Sequence, residues 1–91
     1  MTTKIGDPEA IRGLARMLVE YCEQTRDSLH RLRGQLTEMQ SSMQWADDNH
    51  AMFCDEFDQA ANQLHQVLSS FEQDQANRLV SLAAQYDDVR W

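Results

Sequence analysis

His50, Cys54 and Asp58 recur at intervals of four, so a helix would place them along one face, within reach of a shared cation. Three such groups lack the fourth ligand of a closed site, and acidic helix surfaces produce this spacing by chance. Asp27-x-x-His30 and Asp47-x-x-His50 share a spacing with di-iron helical bundles. Those sites need paired Glu-x-x-His units and two further glutamates, which are missing here. His65 flanks an apolar stripe and reads as a boundary residue. No glycine-rich phosphate loop and no nucleophile-elbow motif is present. The chain is therefore not expected to be an enzyme, and no cofactor or metal is expected.

The elements that would carry these residues are helices. In 91 residues there is one proline, Pro8, and three glycines, none after Gly34, and β-branched residues are few. The length allows one small domain. Asp7-Pro8-Glu9 is a helix start: an N-cap, a proline at the first helical position, and an acid near the positive end. Apolar residues then recur at threes and fours through Ile11, Leu14, Leu18, Tyr21, Cys22, Leu29, Leu32, Leu36, Met39 and Met43. Gln40-Ser41-Ser42 breaks the pattern, and Asp47 or Asp48 can cap the next helix. A second stripe runs through Phe53, Phe57, Ala60, Ala61, Leu64, Leu68, Phe71, Leu79, Leu82, Tyr86 and Val89. Its middle, residues 72–78, is polar apart from Ala76.

The pattern predicts an all-α chain forming a single helical hairpin over 1–91. One helix spans about 8–43, a turn about 44–47, and a second helix about 48–88. A short connection makes the helices antiparallel. Paired residue numbers then add to about 90, so Leu36 faces Phe53 and Cys54, Leu32 faces Phe57, Leu18 faces Phe71, and Ile11 faces Leu79. This register places Cys22 and Cys54 roughly 20 Å apart, too far for a disulfide, which needs Cα atoms within about 7 Å.

Both stripes are wider than a two-stranded seam requires, as Leu14 with Ala15 and Tyr21 with Cys22 show. Several hundred Å² of exposed apolar surface, at roughly 25 cal/mol per Å², is a large loss for a small domain. Dimerisation of two hairpins into a four-helix bundle removes it. The predicted partner-binding stripe is Leu14, Leu18, Tyr21, Leu29, Leu32, Leu36, Leu64, Leu68, Phe71, Leu79 and Leu82.

Charge narrows the partner. The net charge is −7. Residues 1–45 balance six bases with six acids, whereas 46–91 hold nine acids against Arg78 and Arg90. Such a surface disfavours nucleic acid and anionic membranes. No apolar run is long enough to span a bilayer. The N-terminus lacks the apolar core of a cleaved signal peptide.

Trp45-Ala46-Asp47, with Phe53 eight residues after the Trp and Phe57 four further on, resembles the WXG family of early secreted antigen-like type VII secretion substrates. The resemblance covers nearly the whole chain, including the Asp-Pro-Glu opening. It implies a small helical hairpin that forms homodimeric or heterodimeric four-helix bundles. It also implies export from a Gram-positive cytoplasm without a cleaved signal, and Trp45, Asp47, Phe53 and Phe57 as the turn and recognition motif. Asp47 stands where the family has Gly; Asp tolerates the left-handed conformation better than most residues and can also cap. The family's tail signal is Tyr-x-x-x-Asp or Glu; here Tyr86 is followed by Arg90.

The resemblance thus implies a heterodimer in which this chain brings Trp45 and another helical hairpin brings the tail signal. The helical N-terminal domain of a larger secreted toxin is one candidate partner, and the secretion ATPase another. The acidic second half agrees, because self-pairing would bring two such helices together. A cytoplasmic helical adaptor or chaperone that is not itself secreted is the alternative reading.

Overall fold

A computed structural model describes residues 5–87 of the chain. The described residues are helical without a strand: α1 spans Pro8–Ser41, α2 Asp48–Ser70 and α3 Ala76–Asp87, with a π-helical turn at Phe71–Gln75 joining α2 to α3. They fall into two compact units, one of Met1–Cys22 with Leu68–Trp91 and one of Glu23–Val67.

α1 starts where the Asp-Pro-Glu motif places it. Asp7 Oδ1 accepts the Glu9 and Ala10 backbone N–H groups at 2.9 and 3.4 Å. These are two of the donors that a helix N-terminus leaves unpaired.

In the unit of 1–22 with 68–91, the buried apolar residues are mostly small: Ala15 and Cys22 on α1, and Leu68, Ala76 and Ala83 on the returning helices. Small side chains let two helix backbones approach closely. The Cys22 thiol donates to the Leu68 carbonyl at 3.5 Å. Arg12 pairs with Asp87 at the other end. That bond is the main cause of the upward shift of the Arg12 pKa, which desolvation opposes.

Periodicity predicts a second helix running unbroken over about 48–88. Instead the π-helical turn interrupts it at Phe71–Gln75, inside the polar stretch that separates its apolar residues. The spacing of the buried residues explains why. Leu68 and Ala76 are eight apart, whereas Ala76 and Ala83 are seven apart. Seven residues are close to two helical turns, so an eighth would rotate Ala76 out of the seam by about 100°. One widened turn absorbs that extra residue.

Glu23–Val67 is a helical hairpin in its own right, made of the end of α1, a turn and most of α2. Its buried side chains are Leu36, His50 and Cys54. Arg33 lies beside them and donates to Asp58 through Nε at 2.9 Å and Nη2 at 3.3 Å. Nη1 reaches the Thr37 hydroxyl at 3.3 Å and Cys54 Sγ at 3.7 Å. The Asp58 bond is the largest cause of the raised Arg33 pKa, with desolvation opposing it.

Candidate functional site

α1 ends in a Schellman turn. The Gln44 N–H bonds back to the Met39 carbonyl at 2.9 Å, and the Met43 N–H to Gln40 at 3.2 Å. This closure needs a left-handed residue, and Met43 supplies it with φ of 62°. Asp47 is not the left-handed residue. Among the described non-glycine residues Met43 alone has positive φ, and Asp47 has another task. Met43 is 79% exposed, so little packing opposes its replacement. Met43→Gly is expected to stabilise the hairpin by about 1 kcal/mol, since glycine adopts this conformation without a Cβ clash. A higher midpoint in thermal unfolding checks this.

Asp47 joins both sides of the turn. Its Oδ1 accepts the His50 backbone N–H at 3.0 Å, which makes it the N-cap of α2. The same oxygen accepts the Trp45 indole N–H at 3.0 Å. The Trp-x-Asp sequence is therefore one capping device that also fixes the orientation of the ring. The half-buried indole meets the His50 ring edge-on, with centroids 5.0 Å apart. It also lies 5.9 Å from Phe53, whose ring is 6.5 Å from that of Phe57. Trp45, Asp47, Phe53 and Phe57 thus form a continuous chain of contacts. Asp47→Ala removes the cap and the indole acceptor together, for an expected loss of about 1–2 kcal/mol. Chemical denaturation measures the loss, and faster exchange of the Trp45 indole N–H reports the freed ring.

His50 is the residue whose task its spacing hides. It is 3% exposed, and its Nε2 lies 2.7 Å from the Leu36 carbonyl. A carbonyl only accepts, so Nε2 carries the proton. Cys54 Sγ lies 3.8 Å from both ring nitrogens. The four-residue spacing of His50, Cys54 and Asp58 therefore serves packing: His50 ties α2 to α1, Cys54 fills the space beside it, and Asp58 holds Arg33. No group of three or more His, Cys, Asp or Glu among the described residues is placed to hold a metal ion. Both cysteines are buried thiols outside any disulfide among the described residues.

Close to this seam lies an apolar face. Moving one residue back along a helix turns it by about 100°. Because the two helices of the hairpin run in opposite directions, that step carries both to the same side. Leu32 on α1 and Phe53, Leu64 and Val67 on α2 occupy this side, at 56, 43, 36 and 49% exposure. Along α2 the stripe of Phe53, Phe57, Ala60, Leu64 and Val67 keeps the four-three spacing of a coiled-coil seam. Its outer rim is formed by exposed Glu56, Gln59, Gln63 and Gln66. One acid among three amides sets up little repulsion against a second acidic chain. The charge argument against self-pairing thus loses its force on this face.

The rest of the expected partner-binding stripe divides between seam and surface. Leu36 and Leu68 are buried, Leu18, Leu29, Phe71, Leu79 and Leu82 are half-buried, and Leu14 and Tyr21 are exposed. At the expected tail motif, Tyr86 is half-buried, with its ring against Gly6. A Cβ at Gly6 would stand 2.7 Å from Tyr86 Cε1, so a larger residue there requires the ring to shift. Arg90, the other half of that motif, and Val89 lie outside the described residues.

Compared with protein-family models, curated proteins and solved structures, the chain matches none. No described helix is long and apolar enough to cross a membrane.

Proposed function

We propose that this protein is a type VII secretion substrate, or the targeting partner of a larger exported effector. It acts by packing its apolar face against a second helical hairpin to form a four-helix bundle. The observation that carries this reading is the uncovered stripe of Leu32, Phe53, Leu64 and Val67 beside an already complete seam. Covering a large aliphatic or aromatic side chain contributes roughly 1.5–3 kcal/mol. About half of each side chain remains to be covered, so the four together offer roughly 3–6 kcal/mol before the cost of association.

The Trp-x-Asp turn, held by its own cap, gives the bundle a preorganised aromatic tip for the secretion machinery. Arg90 stands where the family's tail carries an acid, so the second subunit supplies that signal and the complex is a heterodimer. The helical N-terminal domain of a secreted toxin meets the same requirements.

Export is tested by fractionating a secretion-competent host. The protein is expected in the culture supernatant, and its release should stop when the secretion ATPase is deleted. Retention in the cytosol, unchanged by that deletion, would instead identify a helical adaptor that stays inside the cell.

A further inference from the structure

Across the seam from the apolar face, residues of Glu23–Val67 line an open cleft of about 650 Å³. Leu29, Phe57 and Ala61 provide its apolar surface. Arg33 and Asp58 also line it but neutralise one another through their hydrogen bonds. Arg26 and Asp27 bring one charge of each sign. What remains is a set of uncommitted polar groups. His30 on α1 and Asn62 and His65 on α2 have no hydrogen-bond partner among the described residues.

The composition of the cleft selects its ligand. The two imidazoles do not belong to any three-residue metal cluster among the described residues, and each carries at least one ring N–H that can donate a hydrogen bond. Imidazole and carboxamide N–H groups suit an oxyanion, and bonds of this kind to a charged acceptor are the stronger ones. Leu29 and Phe57 beside them suit an apolar body attached to that anion. We propose that this cleft binds an oxyanion carried on an apolar or aromatic group, with His30, His65 and Asn62 as donors. Phe57 belongs both to the cleft and to the α2 stripe of the docking face, but the donors His30, Asn62 and His65 lie outside that face, so anion binding is tested apart from the secretion reading.

Phenyl phosphate and benzoate are the probes, with phenol as the uncharged control, and the imidazole NMR signals of the full chain are the readout. At least one of the two anions is expected to shift the His30 and His65 signals saturably. The signals of buried His50 should stay in place. The responding probe identifies the headgroup as phosphate or carboxylate. His30→Ala combined with His65→Ala, which removes both donors, should weaken binding roughly tenfold or more, while Leu64→Glu with Val67→Glu leaves it unchanged. The double alanine variant must retain the wild-type helical circular dichroism for the comparison to count as loss of ligand contacts. Three results would each overturn the proposal: no saturable shift with either anion, equal shifts with phenol, or undiminished binding by the folded double alanine variant.

Discussion

Replacing Phe53 and Leu64 together by glutamate is expected to abolish partner association while leaving the hairpin folded. Both side chains are substantially exposed in the chain by itself. A glutamate at either position therefore points into water and leaves Leu36, His50 and Cys54 in place; Phe53→Glu gives up the ring contacts to Trp45 and Phe57, about 0.5–1.5 kcal/mol each. In a bundle the same positions lie at a dry interface, where an unpaired carboxylate is costly. The double variant also forfeits the burial of two of the four large side chains on the face. Together these effects should weaken binding by at least about 100-fold, or roughly 2.7 kcal/mol. Unchanged helical circular dichroism together with loss of the complex is the expected pair of results. A substitution at Glu56 on the rim should have a far smaller effect, since exposed rim charges contribute little.

His50→Ala is expected to act in the opposite way, through the fold. The substitution leaves a cavity between α1 and α2, removes the bond to the Leu36 carbonyl, and withdraws the ring that supports Trp45. Loss of a buried hydrogen bond costs about 1 kcal/mol, the aromatic contact about 0.5–1 kcal/mol, and the cavity adds at least about a further 1 kcal/mol. A total of roughly 2–4 kcal/mol is a large part of the stability available to a domain of this size. Urea unfolding should show a markedly lower midpoint. His50→Gln, which keeps a donor of similar reach, should recover part of the loss. If His50 were instead a surface residue with a ligand-binding task, both variants would unfold like wild type.

The sequence and the structure diverge at identifiable residues. The helix start at Pro8, the capping role of Asp47 and the wide apolar stripes are all legible, because capping chemistry and helical periodicity are local properties. Local pattern does not decide which member of a wide stripe turns inward. Periodicity pairs leucine and phenylalanine positions across the seam, but among the described residues the buried apolar positions are Leu36 and Leu68 together with the smaller Ala15, Cys22, Cys54, Ala76 and Ala83. The larger Leu14, Tyr21 and Phe53 stand one residue away and remain exposed. Within each unit the wide stripe thus holds both buried and exposed apolar residues.

The π-helical turn has a signal in the eight-residue step from Leu68 to Ala76, but that step marks a seam only once the buried residues are known. His50 reads as a metal-ligand candidate because its spacing to Cys54 and Asp58 fits that chemistry equally well. Only the position of the Leu36 carbonyl on the other helix separates the two uses. Met43 gives no warning at all, since a left-handed C-terminal turn normally announces itself with glycine.

Docking of a second helical hairpin on the Leu32, Phe53, Leu64 and Val67 face is tested most directly by co-expression and light scattering. The co-expressed chain is a neighbouring gene product that carries an intact Tyr-x-x-x-Asp or Glu tail. A 1:1 complex is expected with the wild-type chain and only separate chains with Phe53→Glu and Leu64→Glu. A complex that survives both glutamates, or a wild-type chain that stays folded and monomeric beside every such neighbour, would contradict the docking.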